Sequence, residues 1–207
     1  MANFITLTRF VLLLVLVFLV YQSNDLLRFI CIPMVVIVFI GDAIDGYVAR
    51  KYNESSNFGA VFDIAIDRVV ENVLWIVLAD LKLIPVLVPI IFVTRGVLVD
   101  SVRSKAGEKG ISPFAMMKSA VGEWLVAGRV MRGFYGAVKG VAFTAVLLVH
   151  ALPGVFPVFW LRWGLMIENS AATLVYLAVL LCIVRGLPVI VEFYLEDLGK
   201  PKKSKMT

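Results

Sequence analysis

The chain is poor in several residues that would point to common soluble classes. Its 207 residues include two cysteines and one histidine. Cys31 and Cys182 both lie inside apolar runs, where thiols act as small buried hydrophobes, so neither a disulfide framework nor a thiolate metal site is expected. His150 stands near the end of an apolar segment and is expected at an interface, away from any chemistry. No internal repeat, low-complexity tract or linker interrupts the chain, so one domain over 1–207 is expected. A soluble basic face is missing too. The 20 Lys and Arg residues against 15 Asp and Glu give a net charge of +5, but they gather at the ends of hydrophobic segments, which excludes nucleic acid as the expected partner. The first apolar run, FVLLLVLVFLVYQ, has no small-residue cleavage site before its polar boundary and is expected to be a retained span, not a removable signal.

Apolar residues, by contrast, are abundant. They make up 61% of the chain, with a mean hydropathy of +0.94, whereas soluble domains hold roughly 45–50%. An integral membrane protein follows. Six segments, 5–22, 26–48, 58–80, 83–102, 119–150 and 169–193, reach the roughly 20 residues that cross a bilayer. Backbone groups in lipid must be satisfied within their own segment, so these are helices. The expected fold is all-α, a bundle of six transmembrane helices. Arg50, Lys51, Arg103, Lys105, Lys109 and Lys118 flank one set of ends, and the other set carries little beyond Lys82 and Arg162. By the positive-inside rule both termini are expected to be cytoplasmic. Residues 199–207, containing KPKKSK, are expected to form a disordered basic tail against anionic membrane lipids. Trp160 and Trp163, with Pro153 and Pro157, suit a short interfacial stretch on the far side. Gly122, Gly128, Gly133, Gly136 and Gly140 are expected to permit close helix packing.

Against this background GDAIDGYVARKYNESSNFGAVFDIAIDRVVEN, residues 41–72, is anomalous. It holds Asp42, Asp45, Asp63 and Asp67 between membrane-grade neighbours, and an unpaired ionised carboxylate there costs several kcal/mol. Spacings of three and four put each pair on one helix face, and the loop between them returns the chain so that the pairs can face one another. Four converging carboxylates repel unless cations sit among them. Oxygen ligands of this kind suit magnesium or manganese, and two such ions about 4 Å apart handle phosphate chemistry. Gly46 and Ala49 keep the face small, Arg50 offers a fork for phosphate, and Gly59 lies near a helix amino end, where free N–H groups favour anions. Ser56 suits either a cap or a phosphate contact.

The pattern D-x2-D-G-x2-A-R-x8-G-x3-D-x3-D, filled by Asp42, Asp45, Gly46, Ala49, Arg50, Gly59, Asp63 and Asp67, resembles the defining motif of the CDP-alcohol phosphatidyltransferases. The opening NFITLTR is more loosely similar to that family's amino-terminal segment. The resemblance implies a six-helix bundle, dimeric, with a polar cavity open to the cytoplasm. It implies two divalent ions, magnesium or manganese, on Asp42, Asp45 and Asp63, with Asp67 near the second ion and acting as general base. Gly46, Arg50 and Ser56 would contact a CDP-linked lipid donor, joined by Ala49 and Gly59 in the motif and by Asn3, Thr6 and Arg9 at the amino end. A small polar alcohol would attack the donor, releasing CMP.

The acceptor is addressed by a second set of residues. Arg95, Arg103, Lys105, Lys118, Arg129, Arg132 and Lys139 are dense for membrane helices, and charges in spans face a cavity or pair with one another. Spacings of three and seven place Arg129, Arg132 and Lys139 on one face, expected to point inward. Such a set suits an acceptor carrying phosphate, with glycerol 3-phosphate first, since TRGVLVDSVRSKAGEKG is faintly similar to the matching helix of phosphatidylglycerophosphate synthases. Inositol phosphate and serine are the alternative acceptors. Two other classes also place acids in membranes. A cation transporter is disfavoured because the aspartates sit at helix ends without a repeat, and a membrane prenyltransferase because a longer chain with differently spaced acids is expected.

Overall fold

The structure, a computed structural model, describes residues 2–52, 57–108 and 122–198. Among them the regular elements are all helical: α1 (Ala2–Val20), α2 (Asp25–Tyr52), α3 (Asn57–Asp80), α4 (Leu87–Glu108), a π-helical turn (Glu123–Ala127), α5 (Arg129–Val155) and α6 (Pro157–Leu198). Large apolar side chains face outward along them, Leu161 at 87% and Val158 at 82% exposure being the extremes. A water-soluble surface does not carry such a load, whereas lipid accepts it. By length and composition α5 and residues 157–195 of α6 are able to cross a bilayer, and Thr6–Val20 forms a shorter apolar helix. Among the described residues the chain is all-helical, with the apolar exterior of a membrane protein.

Local chemistry explains the turns. Asn24 precedes α2 and its Oδ1 accepts the backbone N–H of Leu26 at 2.9 Å, satisfying a donor that the helix start leaves free. The carboxyl end of α3 closes with Leu83 N–H on Leu78 O at 3.0 Å and Lys82 N–H on Ala79 O at 2.9 Å. That pair of bonds is a Schellman closure, and it holds Lys82 at φ 59°, a left-handed position where glycine is more usual.

Two expected boundaries are corrected. The fifth segment, expected to be unbroken over 119–150, is interrupted at Gly128, whose N–H reaches back five residues to Glu123 O at 3.1 Å. A Cβ at Gly128 would stand 2.2 Å from the Trp124 carbonyl oxygen, so this tight π-helical turn depends on glycine. The sixth segment, expected over 169–193 with a separate interfacial stretch before it, is one helix that already starts at Pro157. Proline at the first helical position loses no bond, because that N–H has no partner within the helix. Gly140 packs against Phe39, with a Cβ position 3.6 Å from its ring. Gly133 and Gly136 meet no neighbour within 4 Å of such a position among the described residues.

The chain groups into two compact units. One comprises residues 1–89 and 137–178, the other 90–136 and 179–207. In the first, α1 packs on α2 and α3, and Trp75 anchors the interior against Phe143 with ring centroids 4.1 Å apart. Phe143 in turn stacks on Phe39 at 5.5 Å, so one aromatic column ties α2, α3 and α5 together. The second unit has its own core of Val99, Ala106, Val126 and Val189.

Candidate functional site

In the first unit the α3 helix presents acids on successive turns. Asp63 and Asp67 lie four residues apart and therefore on one face, as expected. Their partner is Arg9 of α1, a residue that is only 4% exposed. Its Nη2 donates to Asp67 Oδ1 at 2.8 Å, its Nη1 lies 3.6 Å from Asp63 Oδ1, and its Nε donates to the Val38 carbonyl of α2 at 3.2 Å. One guanidinium thus joins three helices. Thr6, one turn earlier on α1, is also buried.

One turn beyond Asp67 stands Glu71, which sequence reasoning missed. It is buried, and both of its carboxylate oxygens are used. Lys139 Nζ of α5 donates to Oε1 at 2.9 Å, and Arg68 Nη1 donates to Oε2 at 3.4 Å. A buried acid with two cationic partners avoids the penalty of an uncompensated charge. The available signal was its position four residues after Asp67, which continues the same acidic stripe.

Several expected site residues fall outside this description. Ser56 and Lys118 lie outside the described residues, as does the basic tail over 199–207. Asp42, Asp45, Gly46, Ala49 and Arg50 are on the last turns of α2 and Asn3 is on α1, but their side chains also lie outside the described residues. Gly59 is half-buried on α3, one turn before Asp63.

Among the described residues no three potential ligands gather around one point. The α3 acids nevertheless fit a divalent ion on an observation of their own. Asp63 and Asp67 already turn one oxygen each toward a single positive charge, that of Arg9, and carboxylate oxygens are the donors that magnesium and manganese take.

The second unit is built around cations. Arg185 of α6 is 5% exposed. Its Nη2 donates to the Val126 carbonyl at 3.3 Å, an oxygen beside the break at Gly128, and its guanidinium lies 5.1 Å from the centre of the Tyr135 ring. Among the described residues its Nε and Nη1 have no hydrogen-bond partner, and the same is true of the buried Nε of Arg95. The charges of Arg95, Arg103 and Arg132 all act on Arg185. Gly186 gives Arg95 room: a Cβ there would stand 2.7 Å from Arg95 Cγ. Arg185 was also missed, although a lone arginine in an apolar membrane segment is itself a signal of function.

The three residues expected on one inward face, Arg129, Arg132 and Lys139, differ in their surroundings. Arg129 and Arg132 are exposed on α5 and Lys105 is exposed on α4. Lys139 alone of the three is half-buried, with Glu71 supplying its counter-charge, and it belongs to the first unit.

Comparison with known proteins agrees with the motif. A family model described as CDP-alcohol phosphatidyltransferase matches residues 1–196. The chain is 31% identical to the CDP-diacylglycerol–glycerol-3-phosphate 3-phosphatidyltransferase of Rickettsia typhi over 101 residues, 49% of this chain and 57% of that protein. The enzyme of the same name from Mycoplasma genitalium is 34% identical over 85 residues, 41% of this chain and 35% of its own. A CDP-diacylglycerol–inositol 3-phosphatidyltransferase of Arabidopsis thaliana is 46% identical over 43 residues, 21% of this chain and 19% of its own. The chain thus spans little more than half the length of the Rickettsia relative, and less of the others.

Proposed function

This chain belongs to the CDP-alcohol phosphatidyltransferase family, and from that premise we propose that it moves a phosphatidyl group from a CDP-linked lipid to a phosphorylated alcohol. Glycerol 3-phosphate is the first acceptor, and the names of the Rickettsia and Mycoplasma relatives support it. The observation that carries the acceptor class is the buried Arg185 guanidinium, two of whose nitrogens lack an acceptor among the described residues. A phosphate oxygen is the natural complement of such a group. Arg95 and Arg103 assist it, and a neutral alcohol such as serine would leave this charge without purpose. An inositol phosphate would satisfy the same arginines, and the Arabidopsis likeness supports that as the second acceptor. Family membership favours this reaction over both cation transport and prenyl transfer.

Asp42, Asp45, Asp63 and Asp67 would hold two magnesium or manganese ions, which when bound neutralise the charge of the donor diphosphate. Gly46 leaves backbone room for the donor, and Arg50 gives it a fork of donors. Asp67 takes the proton of the acceptor hydroxyl as its oxygen forms a bond to the lipid-bearing phosphorus. The bond from that phosphorus to the CMP oxygen breaks, and CMP leaves with the electron pair. Positioning supplies most of the rate in phosphoryl transfer, so the demand on these residues is geometric. The basic flanks support six spans with both termini and the aspartates on the cytoplasmic side, and the family resemblance supports a homodimer with a cavity opening there.

The test is incubation of the purified protein with CDP-diacylglycerol, magnesium and a panel of acceptors, following CMP by chromatography. CMP release with glycerol 3-phosphate, and little with serine or unphosphorylated inositol, is the expected outcome. Equal turnover with unphosphorylated alcohols would remove the acceptor assignment.

A further inference from the structure

Arg9 stands outside the eight-position motif, in the first apolar helix, yet it is buried and engages oxygens of two other helices. Each of its three nitrogens is directed at an oxygen: Nε to Val38 O, Nη2 to Asp67 Oδ1, and Nη1 toward Asp63 Oδ1. The guanidinium is already engaged by protein oxygens on two other helices, so a donor contact is not needed to account for its burial. Nor does a topology signal need burial, since basic residues at membrane surfaces act while hydrated.

The stem of Arg9 is accommodated as deliberately as its head. A Cβ at Gly41 would stand 3.2 Å from both Cγ and Cδ of Arg9, tighter than ordinary contact, so glycine at 41 lets the side chain cross α2. Gly41 immediately precedes Asp42, and Val38 lies one turn before it. Arg9 is therefore braced against the α2 backbone just ahead of one aspartate pair while it grips the other pair on α3.

We propose that Arg9 is a positioning residue, a built-in counter-cation that orients the Asp67 carboxylate and balances the charge of the α3 acids. This rests on the reaction assigned above. Asp67 rotates freely about its side-chain torsions unless one oxygen is held. With Oδ1 held by a buried guanidinium, the carboxylate has one orientation when substrate arrives, and no reordering is left for the reaction step. The same positive charge permits acids to converge before any divalent ion is present. It also opposes that ion. Removing Arg9 must therefore loosen the base and tighten the metal, two effects of opposite sign. A merely structural arginine would weaken both.

The experiment uses the full-length protein in detergent, with Mn2+ alone titrated by electron paramagnetic resonance and CMP release measured in parallel. Arg9→Gln should lower kcat by about 30-fold while KM for CDP-diacylglycerol changes less than about threefold. Its Mn2+ dissociation constant should fall by about threefold or more. Arg9→Lys keeps the charge and should return Mn2+ affinity to the parent value with part of kcat. A kcat within about twofold of the parent overturns the proposal, as does Mn2+ binding that is no tighter. If the parent itself releases no CMP, the reaction assignment fails, and the Mn2+ titration still decides whether Arg9 balances the carboxylates.

Discussion

The two compact units handle buried charge in opposite ways. On α3 of the first unit the acids are answered from within the chain, Asp63 and Asp67 by Arg9 and Glu71 by Lys139 and Arg68. In the second unit Arg185 is as buried as Arg9, but among the described residues its hydrogen bond goes to the Val126 carbonyl and not to an acid, and its Nε and Nη1 make none. A buried charge without a full set of partners is costly, and a protein keeps one where a ligand will complete it. The difference teaches a division of labour. The first unit holds its acids in place by internal pairing, and the second, on the function proposed above, would offer its cations to the acceptor phosphate.

Four substitutions would break or sharpen this contrast. The largest effect is expected at Asp67→Asn, which keeps the shape but removes the proton acceptor. CMP release should fall by about a thousandfold while CDP-lipid binding, read by equilibrium dialysis, persists. An active Asp67→Asn protein would remove the base assignment. Next is Arg185→Leu, where KM for glycerol 3-phosphate should rise by about a hundredfold as charge-assisted hydrogen bonds disappear. The thermal midpoint of the acceptor-free protein should not fall, because the lost group was incompletely paired. A marked drop would mean that Arg185, as Arg9 does, finds its partners within the chain, and the two units would no longer differ.

Glu71→Gln tests the other side. It leaves the half-buried Lys139 ammonium beside a neutral amide and should destabilise the protein by about 2 kcal/mol, seen as a lower thermal midpoint with KM for the acceptor unchanged. If acceptor KM rises instead, Lys139 contacts substrate after all. The smallest effect is expected at Gly186→Ala. Its methyl would press on the Arg95 stem and should raise KM for glycerol 3-phosphate by about fivefold with donor KM unaltered.

Much of this was legible in the chain itself. Apolar segments that must satisfy their own backbone in lipid can only be helices, and α1 to α4 fall close to the expected ranges. The four-residue spacing of Asp63 and Asp67 sufficed to place them on one face, because helical periodicity is local. The π-helical turn was not legible. Gly128 within EWLVAGRV looks like one more small residue for packing, and its role appears only once the Trp124 carbonyl is found where a Cβ would be. Arg185 and Glu71 were visible as charges inside apolar segments but were passed over, since neither lies in a recognised motif. Lys139 was grouped with Arg129 and Arg132 by spacing alone, and the acid that claims it lies 68 residues away.

The sequence by itself determined that this is a helical membrane protein of one enzyme family, and it named the aspartates, because hydropathy and short-range spacing are properties of contiguous residues. Only the tertiary structure decided which charge meets which. Arg9 and Asp67 are 58 residues apart, and nothing in either neighbourhood specifies the other. Their pairing arises when α1 packs on α2 and α3 and a buried charge must find its complement within reach.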